Sequence, residues 1–429
     1  MKLIPWLLAL LLCGCVSDQV ASDSLDEIAK DYVQMQLEIG EREPGYVDAY
    51  YGPKEWAEAA KAAPRSLPAL VKEATALTAR TNAVDPAELD PLSVRRRAFL
   101  LAQLRAASTR LRMAQGEKLS FAEEAQGLFG VRVELKPLAS YDPVLDRIAA
   151  LVPGSGSLAE RVDAFQNRFT IPKERLKPVF DAAIEECKRR TAQHIQLPPG
   201  ERFTMEFVTG KSWSGYNYYQ GDYDSLIQIN TDLPIRISRA VDLGCHEGYP
   251  GHHALNMLLE QRLTKERGWI EYSIYPLYSP LSLIAEGTAN YGIDLAFPGE
   301  QRLQYETQSL YPLAGLPIED ADKYLALLEA MKDLQGARFT IARDYLEGRI
   351  NRKQAVELTQ KYQLVSKQRA EQSIGFTEQY RSYVINYGLG QDMARAHVEA
   401  AGTTPQARWA AFERIISEPT LPSDLLVRP

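Results

Sequence analysis

Histidine is scarce in this chain, yet three of its five copies, His246, His252 and His253, fall within eight residues. The segment runs from Asp242 through Cys245-His246-Glu247-Gly248-Tyr249-Pro250-Gly251 to His252-His253. A zinc site needs two imidazoles that converge on one ion, and a helix supplies them at spacing i, i+4. Here Pro250 occupies the i+4 position. Its ring cannot continue the helix, and Gly251 permits a bulge or sharp bend. Two looped-out residues would bring His252 to where i+4 normally points. His253, at i+7, would stand about 10 Å along the axis of an unbroken helix. His252 is therefore the favoured second ligand and His253 the alternative.

Glu247 directly follows the first imidazole. In zinc hydrolases a carboxylate at this position takes a proton from the attacking water and later delivers it to the leaving amine. A third protein ligand is still needed, and Glu286 is the best candidate. It is embedded in the apolar run Leu283-Ile284-Ala285-Glu286-Gly287-Thr288-Ala289-Asn290-Tyr291, where a carboxylate is costly unless paired or metal-bound. Asn290, one turn later, could accept the proton of a ligand imidazole, with Asp294 the other candidate.

The elements that must position these groups are mostly helices. Apolar residues recur at three- and four-residue spacing over 25–37, 67–77, 94–111, 158–168 and 173–194. The stretch from Pro137 to Pro143 reads as a loop. Pro198-Pro199-Gly200 marks a lobe boundary, giving a helical region over 16–200 and a catalytic region over 201–429. Between 203 and 230, alternating aromatic, apolar and polar residues predict two or three short antiparallel strands. Helical periodicity then returns over 236–249, 252–267, 281–297, one long helix across 320–346, and 353–362, 371–383 and 392–400. The expected fold class is mainly α, with a small antiparallel sheet beside the active-site helix.

Composition bounds the function. With 45% hydrophobic and 24% charged residues the chain is ordinary globular material, not disordered or fibrous. A net charge of −7 with intermixed basic residues points away from nucleic acid. The one basic run, Arg95-Arg96-Arg97, reads as a solvated helix face. Residues 1–15, MKLIPWLLALLLCGC, combine one lysine with a ten-residue apolar stretch and have the form of a signal peptide. The end, Leu12-Cys13-Gly14-Cys15, resembles a bacterial lipoprotein box, which would make Cys15 the lipidated mature N-terminus. The expected location is the cell envelope, held to a membrane by that lipid, with Val16 favouring the outer membrane of a diderm host. Cys187 and Cys245 remain. An oxidising compartment permits a disulfide between them, but both sit in helical patterns and read as small core residues.

HEGYPGHH followed by AEGTANY resembles the bacterial DUF885 family, marked by His-Glu-x-x-Pro-Gly-His-His and a later Glu-Gly-Trp-Ala-x-Tyr. The first motif matches fully; in the second, Thr288 stands for the family Trp and Asn290 for a usual Leu. The resemblance implies a zincin-like helical metallopeptidase. Less specifically, Leu226–Asn230, preceded by the aromatic run Tyr216–Tyr219, looks like the edge strand of a zincin cleft, able to pair with a peptide backbone. The segment from Tyr383 to Gly390 resembles a family region from which a phenol, Tyr387 rather than Tyr383, could hydrogen-bond an oxyanion. Arg338 or Arg343 could hold a substrate carboxylate. The expectation is a lipid-anchored zinc hydrolase cleaving short peptides with Glu247 as base. The alternatives are a non-catalytic lipoprotein binding peptide or cell-wall fragments on the same fold, and an amidase or esterase using the same metal.

Overall fold

The computed structural model describes residues 24–426. The leader 1–15 and Cys15 lie outside the described residues. The chain is built from helices, many with the start signals that isolate a helix from its flanks. Ser24, Ser120 and Ser157 form capping boxes with Glu27, Glu123 and Glu160, and Asp90 caps the Pro91–Ala114 helix with proline in its first turn. Each cap satisfies backbone N–H groups that would otherwise lack partners.

Five short strands complete the fold: β1 (Val47–Tyr50), β2 (Arg202–Val208), β3 (Gly215–Gly221), β4 (Asp224–Asn230) and β5 (Ile274–Pro276). β1 pairs with β5. The other three form a sheet in the order β2-β4-β3. Asp222 and Tyr223, both at positive φ, make the tight turn that returns β3 antiparallel onto β4. β2 then adds parallel to β4 on its other side. The sheet is thus mixed rather than wholly antiparallel. Leu226–Asn230 is its central strand, with both sides paired, and cannot serve as the edge. The outer edge beside the histidines belongs to β3.

The mainly helical class with a small sheet beside the histidine segment is the architecture observed. The stretch 320–346 is two helices, Ala321–Lys332 and Gln335–Leu346. The segment 137–143 is not open loop. A short 3-10 turn over Leu138–Tyr141 leads into the Asp142–Leu151 helix, with Pro143 in its first turn, where proline is tolerated. Arg95–Arg97 is not a solvated face either. Arg96 is 4% exposed; its guanidinium pairs with the buried Glu271 at 2.6 Å and lies over the Trp269 ring. A buried carboxylate demands such a partner. Three buried apolar clusters fill the interior, and each draws side chains from both sides of position 200.

Cys187 and Cys245 form a disulfide, Cα atoms 5.4 Å apart, which corrects their reading as free core thiols. Helical patterning had hidden the fact that the two helical segments cross at this point. The bond fastens the Leu176–Thr191 helix directly beside His246. Replacing both cysteines by alanine should lower unfolding free energy by about 2–4 kcal/mol in non-reducing denaturation. The gap to wild type should largely close when both are unfolded with reductant present.

Candidate metal centre

The helix that begins at Ser238 widens into a single π-type turn at Gly244–Gly248 and stops. The chain bends through Tyr249-Pro250-Gly251, and a new helix starts at His252. Gly251 makes the bend possible. A Cβ there would lie 1.8 Å from the His246 carbonyl oxygen, so any larger residue would drive the two segments apart. Across this bend the His246 and His252 rings face each other edge to face, centroids 4.6 Å apart.

The third group comes from the Pro280–Ala296 helix, which is buried on nearly every face, as a helix inside a core must be. It touches the Ile385–Ala400 helix at backbone distance, because a Cβ on Gly287 would sit 2.3 Å from the Gly390 carbonyl carbon. That approach presents Glu286 to both histidines: Glu286 Oε2 is 3.2 Å from His246 Nε2 and 3.8 Å from His252 Nε2. One ligand atom from each of His246, His252 and Glu286 lies within 4.8 Å of the others.

Hydrogen bonding decides what these atoms offer. Asn290 donates its Nδ2 to the Tyr387 carbonyl at 3.1 Å, so its Oδ1 accepts, 3.0 Å from His246 Nδ1. In a neutral His246 the proton is therefore on Nδ1, and the Nε2 lone pair faces Glu286. Tyr383 donates its hydroxyl to Glu286 Oε1 at 2.8 Å, while Oε2 is buried and makes no aligned hydrogen bond. Burial, then the proximity of His246, holds His252 down at about 4, in its neutral form. Burial works to raise the Glu286 carboxyl, but the contacts with His246 and His252 outweigh it and keep it ionised. With His246 neutral, two imidazole nitrogens and a carboxylate oxygen point at one another; without a cation, the Glu286 contact outweighs burial and raises the His246 pKa, so a proton takes the place a cation would fill. That donor set fits a cation of zinc's preferences, with both nitrogen and oxygen ligands.

His253 turns the other way. Its Nδ1 is 2.7 Å from Ser225 Oγ and its Nε2 3.1 Å from Glu201 Oε2, so both ring nitrogens are committed to the sheet side. Asp294 contacts no histidine; it pairs with Lys332 and Arg395. Thr288 bonds back to the Ile284 carbonyl at 2.7 Å and does not line the cleft.

The cleft around the three groups has a volume of about 520 Å³ and is walled by Glu247, Tyr387, Arg338, Asp48 and β3 residues 215–217, among others. Glu247 is 3% exposed and its carboxylate has no protein hydrogen-bond partner among the described residues. Burial pushes it up to about 7; His246 opposes and Glu286 adds to the rise. β3 fits around this side chain. Gly215 leaves room for Glu247 Oε1, which a Cβ would approach to 2.7 Å, and Asn217 Nδ2 donates to the Glu247 carbonyl at 2.7 Å. The Tyr387 ring lies nearly parallel to that of His246, centroids 6.4 Å apart. Burial, with Glu286 next, raises its phenol well above the ordinary value, so it stays a donor. Arg338 lines the cleft; Arg343 does not, being paired with Asp344. Five positions along a helix turn a side chain to a different face.

Asp48 on β1 escapes motif reading. Tyr216 donates its hydroxyl to it, and burial, then Glu286 and Glu247, push its carboxyl up to about 8. The signal was present, since Asp48 interrupts the aromatic and apolar stretch Tyr46–Tyr51 as Glu286 interrupts its helix.

No family model matches the chain, and no curated protein matches it. Solved structures that resemble it include a chain from Colwellia psychrerythraea assigned as a lipoprotein. It is 15% identical, with a TM-score of 0.49, over 82% of this chain and 69% of that one. They also include the M32 carboxypeptidase of Deinococcus radiodurans R1, 13% identical with a TM-score of 0.47, over 91% of this chain and 88% of that one.

Metal analysis of point variants tests the donor set. Protein reconstituted with zinc should hold one equivalent. His246→Ala, His252→Ala and Glu286→Ala should each reduce that to a small fraction. His253→Ala should keep the equivalent and lose fold stability instead, since it strands Ser225 and Glu201. Retained zinc in the His252 variant together with loss in the His253 variant would reverse the choice between the two histidines.

Proposed function

We propose that this chain is a zinc-dependent hydrolase of the cell envelope whose substrates are short peptides. The observation that carries the reading is one cleft holding two kinds of carboxylate. Glu286 Oε2 is unsatisfied and faces two imidazole nitrogens. Glu247, next to the first of those imidazoles in sequence, is buried and unpartnered. A binding protein has no use for the second. The resemblance of HEGYPGHH and AEGTANY to the DUF885 pattern supports the same chemistry.

His246, His252 and Glu286 would hold the ion, with Asn290 and Tyr383 fixing the orientation of two of them. Zinc held there supplies Lewis-acid polarisation of a carbonyl and lowers the pKa of a water. Glu247 takes one proton as the water oxygen bonds to the scissile carbonyl carbon. When the C–N bond breaks, Glu247 returns that proton to the departing nitrogen. The Tyr387 hydroxyl, protonated and on the cleft wall, donates to the carbonyl oxygen as negative charge builds on it. β3, the end strand of its sheet and part of the cleft wall, gives an extended backbone something to lie along.

Glu247→Gln keeps the shape of the side chain and cannot accept a proton. It should retain zinc and melting temperature while peptide turnover falls by about 10²–10⁴-fold. KM should move little, because the lost interaction matters in the transition state. Turnover equal to wild type would remove Glu247 from the mechanism. Peptide binding without cleavage in both forms would favour a peptide-binding lipoprotein. The anchor is tested separately. Cys15→Ser removes the only atom that can be acylated at that position, so the protein should move from the membrane to the soluble fraction. Unchanged membrane association would reject the lipoprotein reading.

A further inference from the structure

Five basic side chains line the cleft: Arg239, Arg302, Lys332, Arg338 and Arg369. Four are already engaged. Arg239 pairs with Asp242, Arg302 with Asp242 and Glu306, and Lys332 with Asp294 and Glu329. Arg369 donates to the Pro234 carbonyl. Arg338 has no carboxylate and no hydrogen-bond acceptor among the described residues, and its Nε is buried without a partner. Its contacts are with π faces, the Phe376 ring at 5.3 Å and the Tyr387 ring at 5.6 Å. Such contacts use the flat face of a guanidinium and leave the in-plane N–H groups free. A second unpartnered donor, Gln363 Nε2, is buried in the same lining.

A half-buried guanidinium whose enclosed Nε has no acceptor is costly, and the cost is recovered when a ligand brings an anion. We propose that Arg338 receives the free C-terminal carboxylate of a peptide, so that the cleft acts on chain ends. The proposal rests on the peptidase reading above and adds the substrate class. Three features favour a single carboxylate over other anions. A planar fork matches it bidentately. Acidic side chains line the same cleft, Glu286 foremost, and disfavour anything carrying more negative charge. The Tyr387 ring lies between Arg338 and His246, its centroid 5.6 Å from the Arg338 guanidinium carbon and 6.4 Å from that of the His246 ring, which places the guanidinium within a few residues of extended chain from the reacting centre.

The test is equilibrium binding of N-acetyl-alanyl-alanine and of its C-terminal amide to metal-free protein, where the carboxylate has no ion to bind. Wild type should prefer the acid by about 10-fold or more, as expected for a hydrogen-bonded charge pair. Arg338→Gln should bind acid and amide alike. Arg338→Lys, which keeps the charge without the fork, should retain part of the preference, and a glutamine variant that fails to fold leaves the lysine variant to decide. Equal binding of acid and amide by wild type, no binding of the acid, or an unchanged preference in the variants would overturn the proposal. On zinc-loaded protein, hydrolysis of free-acid peptides should exceed that of their amides, and Arg338→Gln should erase the difference without loss of zinc. Acid preference in binding with no hydrolysis of any peptide would sink the peptidase reading and leave Arg338 as an anion site.

Discussion

The arrangement depends on one electrostatic constraint, a carboxylate buried in an apolar helix against imidazole lone pairs. Glu286 is 6% exposed and lies in a helix that is otherwise almost wholly core. Its Oε1 takes the Tyr383 hydroxyl, and its Oε2 takes no aligned hydrogen bond. The His246 proton is drawn to the opposite ring nitrogen by Asn290, so no neutral tautomer satisfies Oε2 from that side. Without a cation the cluster can relieve itself only by protonating His246. Burial disfavours that state, while the Glu286 contact and then Glu247 push towards it and raise the His246 pKa above its ordinary value. A site so built is preorganised for positive charge, and the surrounding core keeps it from relaxing.

Preorganisation of this kind is set by backbone approach as much as by side chains. Gly251 lets the chain double back within contact of the His246 carbonyl, and Gly287 against Gly390 lets two helices meet without side chains between them. The first contact brings His252 beside His246. The second sets Glu286, Asn290, Tyr383 and Tyr387 at one crossing. His253 does complementary work. Tied to Ser225 on β4 and to Glu201 just before β2, it pins the start of its helix to the sheet, and its neighbour His252 is left pointing into the cleft. Glu201 itself is gripped by Lys188 and Tyr249 as well; burial alone would raise its carboxyl, but these partners with His253 hold it at about 2.

Sequence reasoning reached the groups whose chemistry is written in local pattern. The interruption of His-Glu-x-x-His by Pro250-Gly251 has only a few geometric remedies, and the bend observed is one of them. Glu286 was legible because a charge amid Leu, Ile and Ala needs a reason. What was not legible came from long-range contact. Arg95–Arg97 looks solvated until Glu271, 175 positions from Arg96, is brought beneath it. The cysteines look like core residues until two helical segments cross. The strand Leu226–Asn230 reads as an edge because its own residues cannot say how many neighbours it has, and β2, earlier in the chain, closes the side that looks free. Asp48 shows the limit from the other direction. The local signal existed, but no second acidic residue nearby in sequence made a motif of it.

The distribution of charge in the cleft ties these observations to selectivity. Acidic side chains gather where β1, the β3 edge and the histidine bend meet: Glu286, which its histidine contacts keep ionised, and Asp48 and Glu247, which burial pushes towards their neutral forms. Positive groups lie along the helices on the other walls, and most are neutralised by acids such as Asp242, Asp294 and Glu306. Neutralised pairs contribute little net field, so the field a substrate meets comes from the unpaired groups. On one side this is chiefly the Glu286 carboxylate, offset by any bound cation. On the other there is Arg338, held flat by aromatic rings. A polyanion would gain nothing from the first side and find only one partner on the second. A peptide carries a neutral amide flanked by side chains and, at its end, one carboxylate. It presents a polarisable carbonyl to the acidic end and a single negative charge to the basic one. On the proposed peptidase reading, a cleft of this polarity favours a ligand that is neutral where it reacts and anionic where it ends.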